Sequence, residues 1–149
     1  MKAMARALAS QVRAAILNAA VTVHEAMTND MQACVEACAG AAAACEACLA
    51  ECLDMGEAMV AMADCMKSCL ECAGMCRQCA STVAMGGSMM AEMCGACATM
   101  CNACAATCEK QAEEECCREC AAACRECAAQ CANMREKAPK ARRPGVVYR

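Results

Sequence analysis

The sequence predicts an all-α protein: an up-down-up-down four-helix bundle with a cysteine-lined core, plus an N-terminal amphipathic helix. Two observations carry that prediction. Cysteines recur at steps of three and four in four separate segments, and such steps stay within roughly 40° of one line on a helix turning about 100° per residue. No proline occurs between Met1 and Ala138, so nothing in that stretch forbids helix. A helix buries its apolar stripe against other helices, and here the positions that ordinarily carry Leu or Ile carry Cys.

Residues 1–26 place Leu8, Val12, Ile16, Ala19 and Val23 at helical spacing, with Arg6, Arg13 and Asn18 elsewhere and no cysteine. That is an amphipathic helix. Asn18 breaks the apolar run and no Ala-x-Ala-like site follows, so a secretory leader is disfavoured and the cytoplasm, where thiols stay reduced, is expected. An atypical or truncated export signal is the alternative. The bundle is expected over 27–136. Its first thiol helix carries Cys34, Cys38, Cys45, Cys48 and Cys52, and the stripe extends upstream in phase through Met31, Met27 and His24. Asn29 with Gln32 resembles a capping box, which would instead start this helix near Asp30.

The first helix should end near Leu53, with Gly56 in the turn. The second carries Met55, Met59 and Met62 and then Cys65, Cys69, Cys72, Cys76 and Cys79, ending near Met85 before Gly86 and Gly87. Ser88 is the expected N-cap of the third helix, which bears the most regular row: Cys94, Cys97, Cys101, Cys104 and Cys108. A shift of about 180° in stripe phase between Cys108 and Cys117 places a turn across Glu109 to Glu115, although that stretch has neither Gly nor Pro. The fourth helix carries Cys117, Cys120, Cys124, Cys127 and Cys131 with Cys116 beside them, and one of Cys116 and Cys117 is expected to point away from the core. Residues 137–149, with Pro139, Pro144 and Gly145, read as a basic irregular tail.

Composition sets what the core can be. The chain of 149 residues is 60% hydrophobic, but it has no Phe or Trp, five Leu and one Ile. Such residues cannot fill a large interior with bulky side chains, whereas Ala supports helix and lets helices approach closely. Twenty-one cysteines is an odd number, and helical i, i+4 neighbours are poorly directed for disulfides. From Thr28 to Met134 there are 5 basic and 15 acidic residues, whereas Arg135 to Arg149 has 6 basic and one Glu. The acidic body draws cations. A basic tail with one aromatic, Tyr148, is a weak nucleic-acid signal, and neither nucleic acid nor membrane is an expected partner.

Rows of thiols along helices point to metal. Soft thiolates and thioethers select Cu(I), and an ion between i and i+4 thiolates on one helix would have a nearly linear geometry. Zn²⁺ wants a closed tetrahedron, needing pairs from facing helices. One Cu(I) per thiolate also leaves a neutral interior, whereas about one Zn²⁺ per three thiolates leaves buried negative charge. A Zn²⁺ or Cd²⁺ sink resembling metallothionein in role is the alternative. Antiparallel topology gathers His24, Met27, Met31, Met85, Met89, Met90, Met93 and Met134 at one end, the expected loading mouth; Met55 and Met59 lie at the other.

Cys65-x3-Cys69-x2-Cys72 and three similar runs match the cluster-binding spacing of radical S-adenosylmethionine enzymes. Their repetition follows from helical periodicity, and the chain lacks the βα units of such a barrel. With one His and no nucleophile–base order to assign, no catalytic set is visible. From Met31 to Met134, repeated Cys-x3-Cys and Cys-x2-Cys on four helices resemble the bacterial copper storage proteins, the Csp family. The resemblance implies a preformed bundle whose inward cysteines bind many Cu(I) ions, loading through one end, often in a homotetramer. Copper ions are the expected partners, with a copper donor or acceptor protein as a candidate beside them. Ala41, where the stripe of the first helix requires a thiol, departs from the pattern, as do the Met-rich ends and the N-terminal helix.

Overall fold

The computed structural model describes residues 2–139, and among these it contains helix and turn but no strand. Four helices, α1 (Lys2–Leu53), α2 (Ala63–Ala84), α3 (Met90–Glu109) and α4 (Glu115–Lys137), follow in order, with a 3-10 segment, Gly56–Met62, before α2. Each packs against two neighbours in the cyclic order α1, α2, α3, α4, and short connections make consecutive helices antiparallel.

The capping box at Asn29 does not start a helix. α1 runs unbroken through it for 52 residues, about 78 Å at 1.5 Å per residue. The polar side chains there bond along the helix: Gln32 Nε2 donates to Glu36 Oε1 at 2.9 Å and Thr28 Oγ1 to the His24 carbonyl at 3.0 Å. Residues 27–53 belong to the bundle, and the preceding part of α1 projects beyond it, its described side chains exposed.

The first connection differs from the expected continuous second helix: Met55 precedes the 3-10 segment, and Met59 and Met62 lie on it. Only Met62 of the three is fully buried. Gly56 sits at φ +61°, the left-handed conformation that suits glycine. At the next turn Gly86, at φ +62°, donates to the Val83 carbonyl while Gly87 donates to Thr82, closing α2 as a Schellman motif. Ser88 is not the cap of α3. The residue before that helix is Met89, with no side-chain cap, and the first turn is held by the Met90 amide on the Gly87 carbonyl at 3.1 Å. The expected turn between α3 and α4 is present without glycine because Arg118 Nη1 reaches back to the carbonyls of Ala112 (2.7 Å) and Glu113 (3.0 Å).

The core is built from small side chains. Its largest fully buried members are Met134 and Val83, followed by cysteines, with Ala42, Ala73, Ala105 and Ala128 filling between helices. Ion pairs brace the outside: Arg125 bridges Glu109 on α3 through two nitrogens, at 3.0 and 2.9 Å, and Arg77 on α2 pairs with Glu46 on α1. Lys137 joins α4 to Asp30 of α1 at 2.8 Å. Its ammonium holds the Asp30 carboxyl below the usual range.

Candidate metal centre

All 21 cysteines are buried and none is in a disulfide. Because each helix turns its 3–4 stripe inward, the thiols form one column along the bundle axis. Its groups, read from the Met134 end downward, begin with Cys34, Cys79, Cys94 and Cys131, then Cys38, Cys79, Cys97 and Cys131. Further down come Cys45, Cys72, Cys104 and Cys124; Cys45, Cys69, Cys104 and Cys120; and Cys48, Cys65, Cys69 and Cys108. Within each group the sulfurs lie within 4.8 Å of one another.

The column is knitted across helices as well as along them. Cys76 and Cys101 approach to 3.4 Å, Cys38 and Cys131 to 3.6 Å, Cys65 and Cys108 to 3.6 Å, and Cys69 and Cys120 to 3.7 Å. The expected i, i+4 pairs also occur, with Cys72 and Cys76 at 3.9 Å and Cys97 and Cys101 at 4.0 Å. With metal–sulfur bonds of about 2.3 Å, sulfurs stand about 3.8 Å apart around a tetrahedral ion, about 4.0 Å around a trigonal one and about 4.6 Å across a linear one. The column can therefore offer two, three or four thiolates to one ion with small side-chain movements. Since four-thiol groups from four helices exist, tetrahedral geometry does not by itself reject Zn²⁺. Charge is the stronger discriminator.

The expectation that Cys116 or Cys117 points outward is overturned: both are buried, with sulfurs 3.7 and 3.8 Å from that of Cys48. Adjacent helical positions are about 100° apart, but at the first turn of α4 the end of the column is wide enough to receive both. Ala41 is also fully buried. It stands between Cys38 and Cys45 on the inner face of α1, a level where Cys76, Cys101 and Cys127 supply thiols from the other three helices.

Among the described residues no Lys, Arg or His is buried; the one buried polar side chain is Thr82, which donates to the Gln78 carbonyl at 2.9 Å. Without metal the column therefore favours neutral thiols. Burial pushes Cys65 up to about 12, with charge on Cys69 adding to it, and burial pushes Cys116 up to about 11, with Cys48 bonded beside it. Cys52 and Cys117 move upward for the same first reason. A monovalent soft ion that replaces each proton restores neutrality without any fixed cation.

At the Met134 end, Met90 and Met134 are buried, Met27, Met31 and Met93 are half-buried against the core, and His24, Met85 and Met89 are exposed. Met31 Cε comes close to the α2–α3 turn, 3.9 Å from where a Cβ on Gly86 would stand. Met66, Met75 and Met100, outside the end-clustering argument, also pack half-buried against the core.

Fold and site define a class of protein, a four-helix bundle whose interior is a continuous thiol column for soft metal ions. The chain belongs to the copper storage protein family, Csp, whose model matches residues 27–136, the extent of the bundle. Among solved structures it is similar to the Cu(I)-bound copper storage protein BsCsp3, with 33% identity and TM-score 0.67 over 70% of this chain and 97% of that one. The apo copper storage protein 3 from Bacillus subtilis matches at 34% identity and TM-score 0.64 over the same shares. A cytosolic copper storage protein from Streptomyces lividans, described with five coppers, matches at 30% identity and TM-score 0.72 over 75% and 97%. No curated protein sequence matches the chain significantly.

Proposed function

We infer that this chain takes many Cu(I) ions into its thiol column and holds them as a cytoplasmic store, with no reaction catalysed upon them. The observation that carries this reading is the coincidence of 21 inward thiols with an interior free of buried cationic side chains among the described residues. Such a column is neutral when each thiolate carries one monovalent ion. The cytoplasm follows from the need for reduced thiols and from likeness to a relative described as cytosolic. The Zn²⁺ or Cd²⁺ sink is the second reading, favoured by the four-thiol groups. Competition decides between them: Cu(I) added to chain preloaded with Zn²⁺ should release all the zinc, as followed by a zinc-sensitive dye. Retention of most zinc at excess Cu(I) would favour the second reading.

The loading mouth is the end bearing His24, Met27, Met31, Met89, Met90 and Met93. Thioethers are uncharged and bind Cu(I) without first losing a proton, whereas the thiols beyond them must deprotonate. An ion is thus captured at low cost and passed to stronger ligands. Changing Met27, Met31, Met89 and Met90 together to Leu keeps apolar volume roughly constant and leaves every cysteine. Stopped-flow uptake of Cu(I) should slow several-fold with capacity unchanged, while the Met55, Met59 and Met62 to Leu variant should load near the parent rate. Equal rates in all three proteins would reduce these methionines to packing.

A further inference from the structure

Far from the methionine mouth, the column comes close to the surface. Nineteen of the 21 cysteines have no exposed surface, whereas Cys116 keeps 5% and Cys65 keeps 2%. Cys65, the first thiol of α2, also lines a surface cavity of about 290 Å³ between the start of α2 and the end of α3. That volume is near the lower limit of small-ligand sites, about 300 Å³. Asp64, Lys67 and Glu71 from α2 and Lys110 from α3 line it, with the half-buried hydroxyl residues Ser68 and Thr107. On its inner side the Cys65 sulfur lies 3.6 Å from those of Cys108 and Cys117 and 3.9 Å from that of Cys48. Cavity and column therefore share one residue.

The wall at that point is the one without a charged brace. Ion pairs tie α1 to α2 (Glu46 with Arg77), α3 to α4 (Glu109 with Arg125) and α1 to α4 (Asp30 with Lys137). Among the described residues none crosses from α2 to α3, which meet through sulfurs such as Cys65 and Cys108, and Cys76 and Cys101 at 3.4 Å. Side chains can shift there and uncover Cys65 without breaking an ion pair. The charged groups around the cavity are also uncommitted: among the described residues Asp64, Lys67, Glu71 and Lys110 form no ion pair.

We propose that this cavity binds a small peptide thiol, which withdraws Cu(I) from the column at Cys65. The proposal rests on the storage reading, since the ion exchanged is a stored one. Two requirements select the ligand. Only a donor as soft as the thiolates already holding Cu(I) can compete with them, which the thioethers of the mouth cannot do. Lysines together with carboxylates suit a molecule that carries both carboxylate and ammonium groups, as a short peptide does. In the exchange a bond forms from the entering sulfur to copper and the Cys65 sulfur–copper bond breaks. The proton of the entering thiol passes to Cys65, and copper stays Cu(I) throughout. The column thus loses one ion and regains one proton, and its interior remains neutral.

The test is anaerobic release of Cu(I) from the loaded full chain to excess bathocuproine disulfonate, with reduced glutathione as the probe. The release rate should rise with glutathione and saturate, whereas 2-mercaptoethanol, a thiol without charges, should give a shallow linear rise. Lys67→Glu with Lys110→Glu should raise the half-saturating glutathione concentration about tenfold, with Cu(I) capacity and chelator-only release at parent values. Cys65→Ser should abolish the saturable part while lowering capacity by about one ion. A linear rise in the parent overturns the proposal, as does unaltered saturation in the lysine variant. Loss of the acceleration when Met27, Met31, Met89 and Met90 are Leu also overturns it, because exchange then occurs at the mouth. A copper-independent measurement separates the site from the storage reading: S-methylglutathione, with the charges but no free thiol, should shift the amide resonances of Ser68 and Thr107 in the metal-free chain. No shift in a chain of full Cu(I) capacity removes the site and leaves storage intact; shifts in a chain that holds little Cu(I) keep the site and remove storage.

Discussion

Anaerobic titration of the reduced, metal-free chain with Cu(I) is expected to saturate close to one ion per cysteine, about 20 ions on the 21 thiols. Two features set that value. Every thiol is buried in one connected column, so no cysteine is reserved for a separate task, and both Cys116 and Cys117 join it through Cys48. Neutrality also favours equal numbers of monovalent ions and thiolates, because ions below that number leave protonated thiols still able to exchange a proton for copper. Proton release should therefore accompany copper at close to one for one. Zn²⁺ in the same experiment should stop near one ion per three or four thiols, where the uncompensated charge of further thiolates opposes loading. Ala41→Cys, which adds a thiol at the level of Cys76, Cys101 and Cys127, should raise Cu(I) capacity by about one. Saturation at less than half of one Cu(I) per thiol would defeat the storage reading.

The bundle and its ligand row were legible because cysteine here performs two tasks that both leave a 3–4 period. Burial against neighbouring helices and presentation of a ligand to the axis require the same face, so Cys94 to Cys108 announces both. The helix ends were less legible, for physical reasons. The Asn29–Gln32 pattern has the residue types of a cap, yet side chains bonded along α1 remove any need for a break there. Ser88 has the right hydroxyl, but Gly87 already supplies a backbone acceptor to Met90. At the α3–α4 turn the decisive group, Arg118, comes from the following helix and carries no turn signal in sequence. Cys116 and Cys117 show the limit of the periodic argument: a phase rule allows one inward position per step, and only the width at the bundle end admits two. The methionines are less determined still, since half-burial of Met27, Met31 and Met93 serves packing and capture equally.

Raising the pH should unfold the metal-free chain far more readily than the copper-loaded one. In the unfolded chain thiols ionise near pH 8.5, whereas in the folded one burial keeps Cys116 protonated to about 11 and Cys65 to about 12. Between those limits the native state binds more protons than the unfolded state, so stability falls as pH rises; below about 8.5 both states are protonated and these groups add no slope. Each proton so retained costs about 1.4 kcal/mol per pH unit. A handful of such thiols is therefore enough to exhaust a typical stability of about 5–15 kcal/mol within two or three units. Cu(I) removes the effect at its source, because a thiolate already holding copper has no proton to lose and its metal binds the native arrangement in preference to the coil. Urea midpoints measured anaerobically at pH 7, 8.5 and 10 should thus drop steeply for the metal-free chain across the last interval and stay nearly level for the loaded one. Parallel curves for the two forms would mean that the column tolerates thiolate charge without metal, and the neutrality argument for one Cu(I) per thiol would lose its footing.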